Sequence, residues 1–452
     1  MRPLLSLIVV FLLLAGNRAQ AGGFIRDAEI EKLLLDYARP IFLAAGLKPD
    51  NIGIGLIDDR SINAFVTGGQ NIYFHTGLIL EAETPNMVIG VIAHETGHIT
   101  GGHLARMNEA LEESMKPAIL ATILGIGAIA AGQGDAGLAI LSGGSQIAER
   151  NFLAYSRAQE AAADQVAVEL LDSTQQSPEG IRDLMDHLAD QEILSEVSQD
   201  PYVRSHPISR DRVNFYQNWL DNSPYAGTED DPELVARHKL AQAKIYGFLD
   251  HPGNTKRRYA NRTDTPALYA LAIAFHKENR LDDAIALISE LINRQEKNPY
   301  FHELRGQIFH EAGKPDRALP AYRTSLELEP EEPLLMVGLA TALIATENRD
   351  NVQEAIQTLK VALHHDPENT TAFYQLALAY GYVGDQGNAE LATAERYFLY
   401  GNKPLAAKHA ARATKVLTKG SPAWIRARDI IAAAGGAGYK QNDRPKERRT
   451  RR

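Results

Sequence analysis

The second half of the chain repeats itself, and no other feature limits its fold as much. The stretch YFHELRGQIFHEAGKPDRALPAYRTSLELEP realigns on the sequence at a period of about 34 residues. A small residue recurs at the eighth and twentieth positions, a bulky one at the eleventh, and often a proline near the thirty-second. Gly306, Phe309, Ala318, Tyr322 and Pro330 fill such positions in one unit, and Ala272, Phe275, Ala284 and Ile288 in the unit before. Ala340, Leu343, Ala355, Leu359 and Pro367 follow, with extra residues around Asn351. Ala377 and Tyr380 start a fourth unit; Ala394, Tyr397, Ala406 and Ala410 mark a fifth in a shortened register. So short a unit cannot bury its apolar face alone. Small residues let paired helices approach, bulky ones fill the gaps, and units stack. An all-α solenoid over 230–435 is expected.

This spacing resembles the tetratricopeptide repeat. The first half is different in kind. From Gly22 to about Tyr225 the sequence alternates helical and strand-like patterns, so an α+β domain over 22–225 is expected. AEIEKLLLDYARPIFLAAG has helical periodicity and stops at Gly46. NIGIGLIDD and INAFVTGGQNIYFHTGLIL read as strands, with a turn at Gly68 and Gly69. Helices are expected over Met87–Arg106 and Arg157–Leu171.

The first 21 residues read as a cleavable export signal: Arg2, an apolar run from Leu4 to Ala15, and the small-x-small site Ala19-Gln20-Ala21. That run is short for a membrane span. The chain has no cysteine, which rules out disulfides and a cysteine-linked lipid anchor. Its net charge of −10 argues against nucleic acid as a partner. The basic end KQNDRPKERRTRR, within 436–452, reads as a disordered, solvated tail, with contact to an acidic partner or to anionic lipid, a peripheral membrane contact, as the alternative.

VIAHETGHIT carries the chemistry. Positions i and i+4 share a helix face, so His94 and His98 can offer two imidazoles to one metal. Glu95, angled away from the pair, can reach a water beside the metal and take its proton. A catalytic zinc site wants a third protein ligand. His103 is the nearest histidine, but a continuing helix would place it roughly 140° from the ligand face at about 100° per residue. It reads as a helix-end or surface residue. Glu160 in YSRAQEAAADQVA is the better candidate. Asp164, one turn later, can accept from a ligand imidazole and set its tautomer. The alternative is that both acids form a solvated stripe.

VIAHETGHITGGH, YSRAQEAAADQVA and HPISRDRV, with INAFVTGGQNIYFHTGLI upstream, together resemble the M48 family of zinc metallopeptidases over about residues 25 to 220. That resemblance implies a zincin-like fold and one zinc ion held by His94, His98 and Glu160. It implies Glu95 as catalytic base, Asp164 as support, and His206 and Arg212 at the active site. His206 would either stabilise the oxyanion or swing onto the zinc as a fourth ligand that keeps the enzyme latent. The GGQNIYFHTGLIL segment is expected to be the edge strand that pairs with an extended substrate, with His75 a strand-face residue.

Between these motifs, residues 117–147 are Gly-rich and uncharged except Asp135. Their apolar runs are too short to span a bilayer, and a helical hairpin that covers the cleft or packs on the core is expected, with one that touches membrane or client as the alternative. With its signal and repeats, the whole chain resembles periplasmic proteases of this family that police outer-membrane β-barrel assembly. The resemblance implies unfolded barrel proteins and the barrel-assembly machinery as partners. A largely latent peptidase acting as a repeat-based chaperone or adaptor, and a general scavenging protease, are the other readings.

Overall fold

A computed structural model describes residues 23–67, 70–130, 133–194, 206 and 209–435. The expected export signal, the Gly68–Gly69 turn and the basic tail lie outside these residues. The chain forms two compact units, divided along the sequence between Leu249 and Asp250.

The first unit begins with β1 (Phe24–Ile25) and α1 (Ala28–Ala44). Asp27 caps α1 by accepting from the Ile30 amide at 3.0 Å, and Glu31 accepts in turn from the Asp27 amide at 3.0 Å. One face of α1 buries Leu33, Leu34, Tyr37, Ile41 and Phe42. Strands β2 (Ile54–Ile57), β3 (Ala64–Thr67) and β4 (Asn71–His75) complete a sheet in the order β1-β2-β4-β3. β2 runs parallel to β4, and β3 is antiparallel to it, with Phe65 opposite Tyr73. The GGQNIYFHTGLIL strand is therefore interior, and the edges are β1 and β3. Period-2 alternation gives a strand's inward face but not its neighbours, so the sequence could not separate the two. After His75 the chain turns directly into α2 (Thr76–Glu81), where strand had been expected to continue.

Helix α3 (Pro85–Gly101) crosses the unit's core, burying Val88, Val91, Ile92 and Ala93 completely. It ends where Gly102 adopts a left-handed φ of 60°, which costs glycine little. Helices α4 (His103–Ala130) and α5 (Gly134–Ser173) then run out and back as a long hairpin. The hairpin expected around 117–147 is present, but it leaves large apolar side chains such as Ile119, Ile123 and Leu138 in solvent instead of packing them on the core. Helix α6 (Glu179–Leu194) packs on α3, and α7 (Arg210–Leu220) packs on α6.

Helix α8 (Pro232–Leu249) falls within the expected repeat span but belongs to the first unit. His238 joins the Tyr37 hydroxyl at 3.2 Å and the Ala82 carbonyl at 2.9 Å, and Lys244 pairs with Asp27 at 2.7 Å. These buried polar contacts hold α8 to α1 and α2, which no periodicity reveals.

The second unit is built from antiparallel helix pairs, among them Pro299–Glu311 with Pro315–Leu328 and Pro333–Ala345 with Arg349–His365. The repeat's logic is visible at Tyr322: its ring packs where Gly306 and Gly338 lack side chains. Ala272, Ala284, Ala318, Ala340 and Ala355 are fully buried. Ala394 and Tyr397, read as opening a fifth unit, lie on Gln386–Leu399, the second helix of the fourth pair. Lys403–Val416 and Pro422–Ala433 form the last pair. In a solenoid each helix packs on both neighbours, so the small-residue pattern fits either pairing.

Candidate metal centre

Two helices of the first unit supply the site because one residue between them is small. A methyl group on Gly97 would fall 2.9 Å from the Ala163 Cα and 2.8 Å from its carbonyl oxygen. Its absence lets α3 and α5 cross backbone to backbone, facing the His94–His98 turn towards the Glu160–Asp164 turn. His206, from the segment before α7, closes the group.

The donors converge. His94 Nε2 lies 3.1 Å from His98 Nε2 and 3.3 Å from His206 Nδ1. Glu160 approaches His94 and His98 at 3.4 Å, and His206 Nδ1 at 3.1 Å. One ligand atom from each of these four residues lies within 4.8 Å of the others. His94 is fully buried, with Glu160 4% and His206 6% exposed. Three imidazoles and one carboxylate around so small a space, with ring nitrogens facing each other, are a donor set suited to a dication of the zinc type.

The surroundings hold these groups. His94 Nδ1 is 2.9 Å from Asp164 Oδ1, in an approach bent off the ring's N–H axis. Asp164 in turn accepts from Arg212 Nε at 2.6 Å and from the Tyr216 hydroxyl at 2.6 Å. Arg212 also reaches Glu160 at 3.1 Å. Its guanidinium thus grips the two carboxylates behind the ligands, and Arg212 does not line the cavity in front of them. On the other side His98 Nδ1 meets His103 Nδ1 at 2.8 Å. His103 stands at a helix end as expected, opening α4, but it is buried and not a surface residue. The helical extrapolation failed because α3 stops at Gly102 and the chain restarts in a new direction.

Burial and charge set the protonation of the metal-free site. Burial disfavours a charge on His94, but hydrogen bonding to Asp164 and Glu160 outweighs it and lifts the imidazole to about 9. Burial, then the neighbouring His94 charge, push His98 down to about 2. Glu160 and Asp164 are held well below the usual carboxylate range; their partners overcome burial, chiefly His206 for Glu160 and Arg212 for Asp164. Glu95 is 1% exposed, and burial raises its carboxyl. Its Oε1 accepts no hydrogen bond among the described residues and lies 3.4 Å from His206 Nε2.

In front of the donors lies a cavity of about 190 Å³. Glu95, His98, His103, Glu160 and His206, with Ser156 and Gln159, form its polar wall; Phe65 and Val66 of β3, Leu104 and Met107 of α4, and Phe152 and Tyr155 of α5 form the rest. His75 stands apart, bonded to Ser61 Oγ at 2.9 Å. The sequence set His103 aside as a ligand without showing its support of His98, and it did not bring out Tyr216. Only Tyr216 left a signal, since it follows Arg212 by four on one helix and shares its face.

A peptidase domain followed by a helical repeat array is the class that this fold and site define. Residues 25–220 match the family model Peptidase family M48, and residues 256–397 match a model of the tetratricopeptide repeat. The chain therefore joins an M48 peptidase domain to tetratricopeptide repeats. It is similar to the beta-barrel assembly-enhancing protease of Yersinia pestis, with 23% identity over 338 residues, 72% of this chain and 68% of that one. The protein of that name from Escherichia coli K12 is 24% identical over 357 residues, 76% of this chain and 71% of the relative. Metalloprotease LoiP of Escherichia coli K12 is 28% identical over 193 residues, covering 42% of this chain and 71% of its own length.

Proposed function

We propose that this protein is a zinc-dependent endopeptidase, exported to the periplasm, that acts in quality control and assembly of outer-membrane β-barrel proteins. One observation carries the catalytic part: four ligand atoms from His94, His98, Glu160 and His206 within 4.8 Å, with Glu95 beside them. His94, His98 and Glu160 would hold the zinc. When bound, the metal supplies Lewis acidity towards the substrate carbonyl and the attacking water.

The chain's own residues do the rest. Asp164 and His103 face the outer nitrogens of His94 and His98, which leaves both Nε2 atoms for the metal. Arg212 and Tyr216 position the two carboxylates. Glu95 takes the proton of the attacking water and passes it to the departing amine; burial makes it a stronger base than an ordinary carboxylate. β3 is the edge strand whose Phe65 and Val66 line the cavity, so a peptide pairing with that edge lies across the donors. Such main-chain recognition selects extended, unfolded chains.

His206 is the resting latch in this reading. It lies in hydrogen-bonding range of Glu160 and His94 and 3.4 Å from Glu95, where substrate and water must enter. The same occupancy favours the second reading, in which the peptidase is mostly silent and the repeats act as chaperone or adaptor. The names of the relatives support the link to barrel assembly, with unfolded barrel proteins and the assembly machinery as partners.

Glu95→Gln separates the readings. It keeps the shape and the ligands but removes the base, so cleavage of an unfolded polypeptide should fall by about 100-fold or more while zinc content stays unchanged. Cleavage at the parental rate would exclude Glu95 as the base. A parent that cuts no unfolded barrel protein, even with His206 replaced, would favour the adaptor.

A further inference from the structure

We propose that the α4–α5 hairpin inserts its outer half into one leaflet of a lipid bilayer and so holds the peptidase site at a membrane surface. From Pro117 to Ala148 the only ionisable residue is Asp135. The charges resume together on both arms. Gly144 packs on Ala118, Ala121 and the carbonyl of Pro117, so in this antiparallel pair Lys116 stands level with Glu149 and Arg150. Below that level both arms are mixed and charged; above it both are apolar.

The exposed side chains fit lipid better than a protein partner. Ile119, Leu120, Ile123, Leu124 and Ile126 are each 54% to 65% exposed. At about 100° per residue they cover roughly 160° of α4. The remaining side, with Ala121, faces α5, where Leu138 is itself 61% exposed. Ile140 (37% exposed) and Ile147 (49%) extend the exposed apolar surface onto α5, and the polar groups exposed among them, such as Thr122 and Gln146, carry no charge; so broad an uncharged surface on both arms suits an apolar solvent better than a single protein contact. The reach is that of a single leaflet. Pro117 to Ala130 spans about 20 Å at about 1.5 Å per residue, against about 15 Å for half a hydrocarbon core. No helix among the described residues is long and apolar enough to cross a membrane.

The hairpin's base is part of the cavity, through Leu104 and Met107 on one arm and Phe152 and Tyr155 on the other. Met107 lies about 14 Å along the helix from Lys116. Insertion to the charged level therefore brings the donors to the headgroup region, where an extended chain emerging from or approaching the bilayer can be met. Because the segment is nearly uncharged, binding comes from apolar burial and needs no anionic lipid.

The chain has no cysteine, so Leu124→Cys accepts a single environment-sensitive fluorophore, with Lys297→Cys in the repeat unit as control. The labelled full-length proteins are mixed with phosphatidylcholine–phosphatidylethanolamine vesicles, with and without quencher-bearing acyl chains. The label at position 124 should be quenched and that at 297 unaffected, at low and high salt alike. Ile123→Glu should lower the vesicle-bound fraction about tenfold or more. It should cleave a soluble unfolded polypeptide as the parent does, which shows that it folds. An unquenched label at 124 overturns the proposal, including where the protein floats through its apolar first residues or basic tail. So does a dimer formed without lipid that Ile123→Glu dissolves, which would make the hairpin a contact between copies.

Discussion

His206 lies between Glu95 and the pair His94 and Glu160, and its two proposed roles have opposite signs. As a latch it blocks the place that water needs, so His206→Ala should raise basal cleavage at matched zinc occupancy. As an oxyanion donor its loss would lower the rate by about 100-fold. The contact with Glu160 at 3.1 Å favours the latch, and a clear fall in cleavage would reject it. His94 sets the pH dependence. Its imidazole titrates near 9 without metal, so below that pH a proton competes for the ligand nitrogen. Zinc affinity should fall about tenfold for each unit below about 9. The charge on His94 steadies the metal-free fold below its ordinary 6.5 and is lost as pH rises through about 9. Chelator competition across that range measures it; a flat profile would mean His94 is neutral throughout. At this scale much was legible, because i, i+4 spacing brings out His94 with His98 and Glu160 with Asp164. His103 was not, since its place depends on one left-handed glycine that redirects the chain.

Between elements, the crossing of α3 and α5 does most to shape the site. Gly97→Ala should force the helices apart, at a cost of about 1–3 kcal/mol for overpacking. Displacing the ligand turns should lower activity by about 10- to 100-fold. Gly143→Ala is the control, since nothing lies within 4 Å of the added carbon and a helical alanine should stabilise by up to about 1 kcal/mol. Thermal unfolding and cleavage rates compare the two; equal behaviour would show that the close approach is dispensable. Periodicity announced α3, the strands and the repeats, because each has a face turned to a core. It could not say that β3 rather than β4 is the edge, nor that the hairpin stands away from the core. Those depend on neighbours that local pattern does not encode.

For the molecule as a whole, a repeat period and four ordered motifs foretold a peptidase domain followed by a solenoid. The boundary was less legible, since α8 joins the first unit through His238 and Lys244, buried polar contacts without a sequence signature. Everything proposed for this protein as an enzyme depends on a metal held by these side chains. Metal analysis of the purified protein, with His98→Ala and Glu160→Ala beside it, is the most direct test. About one zinc per chain is expected in the parent and close to none in either variant, since each substitution removes one of the three proposed ligands. Full zinc in both variants would contradict the assignment and place the metal elsewhere.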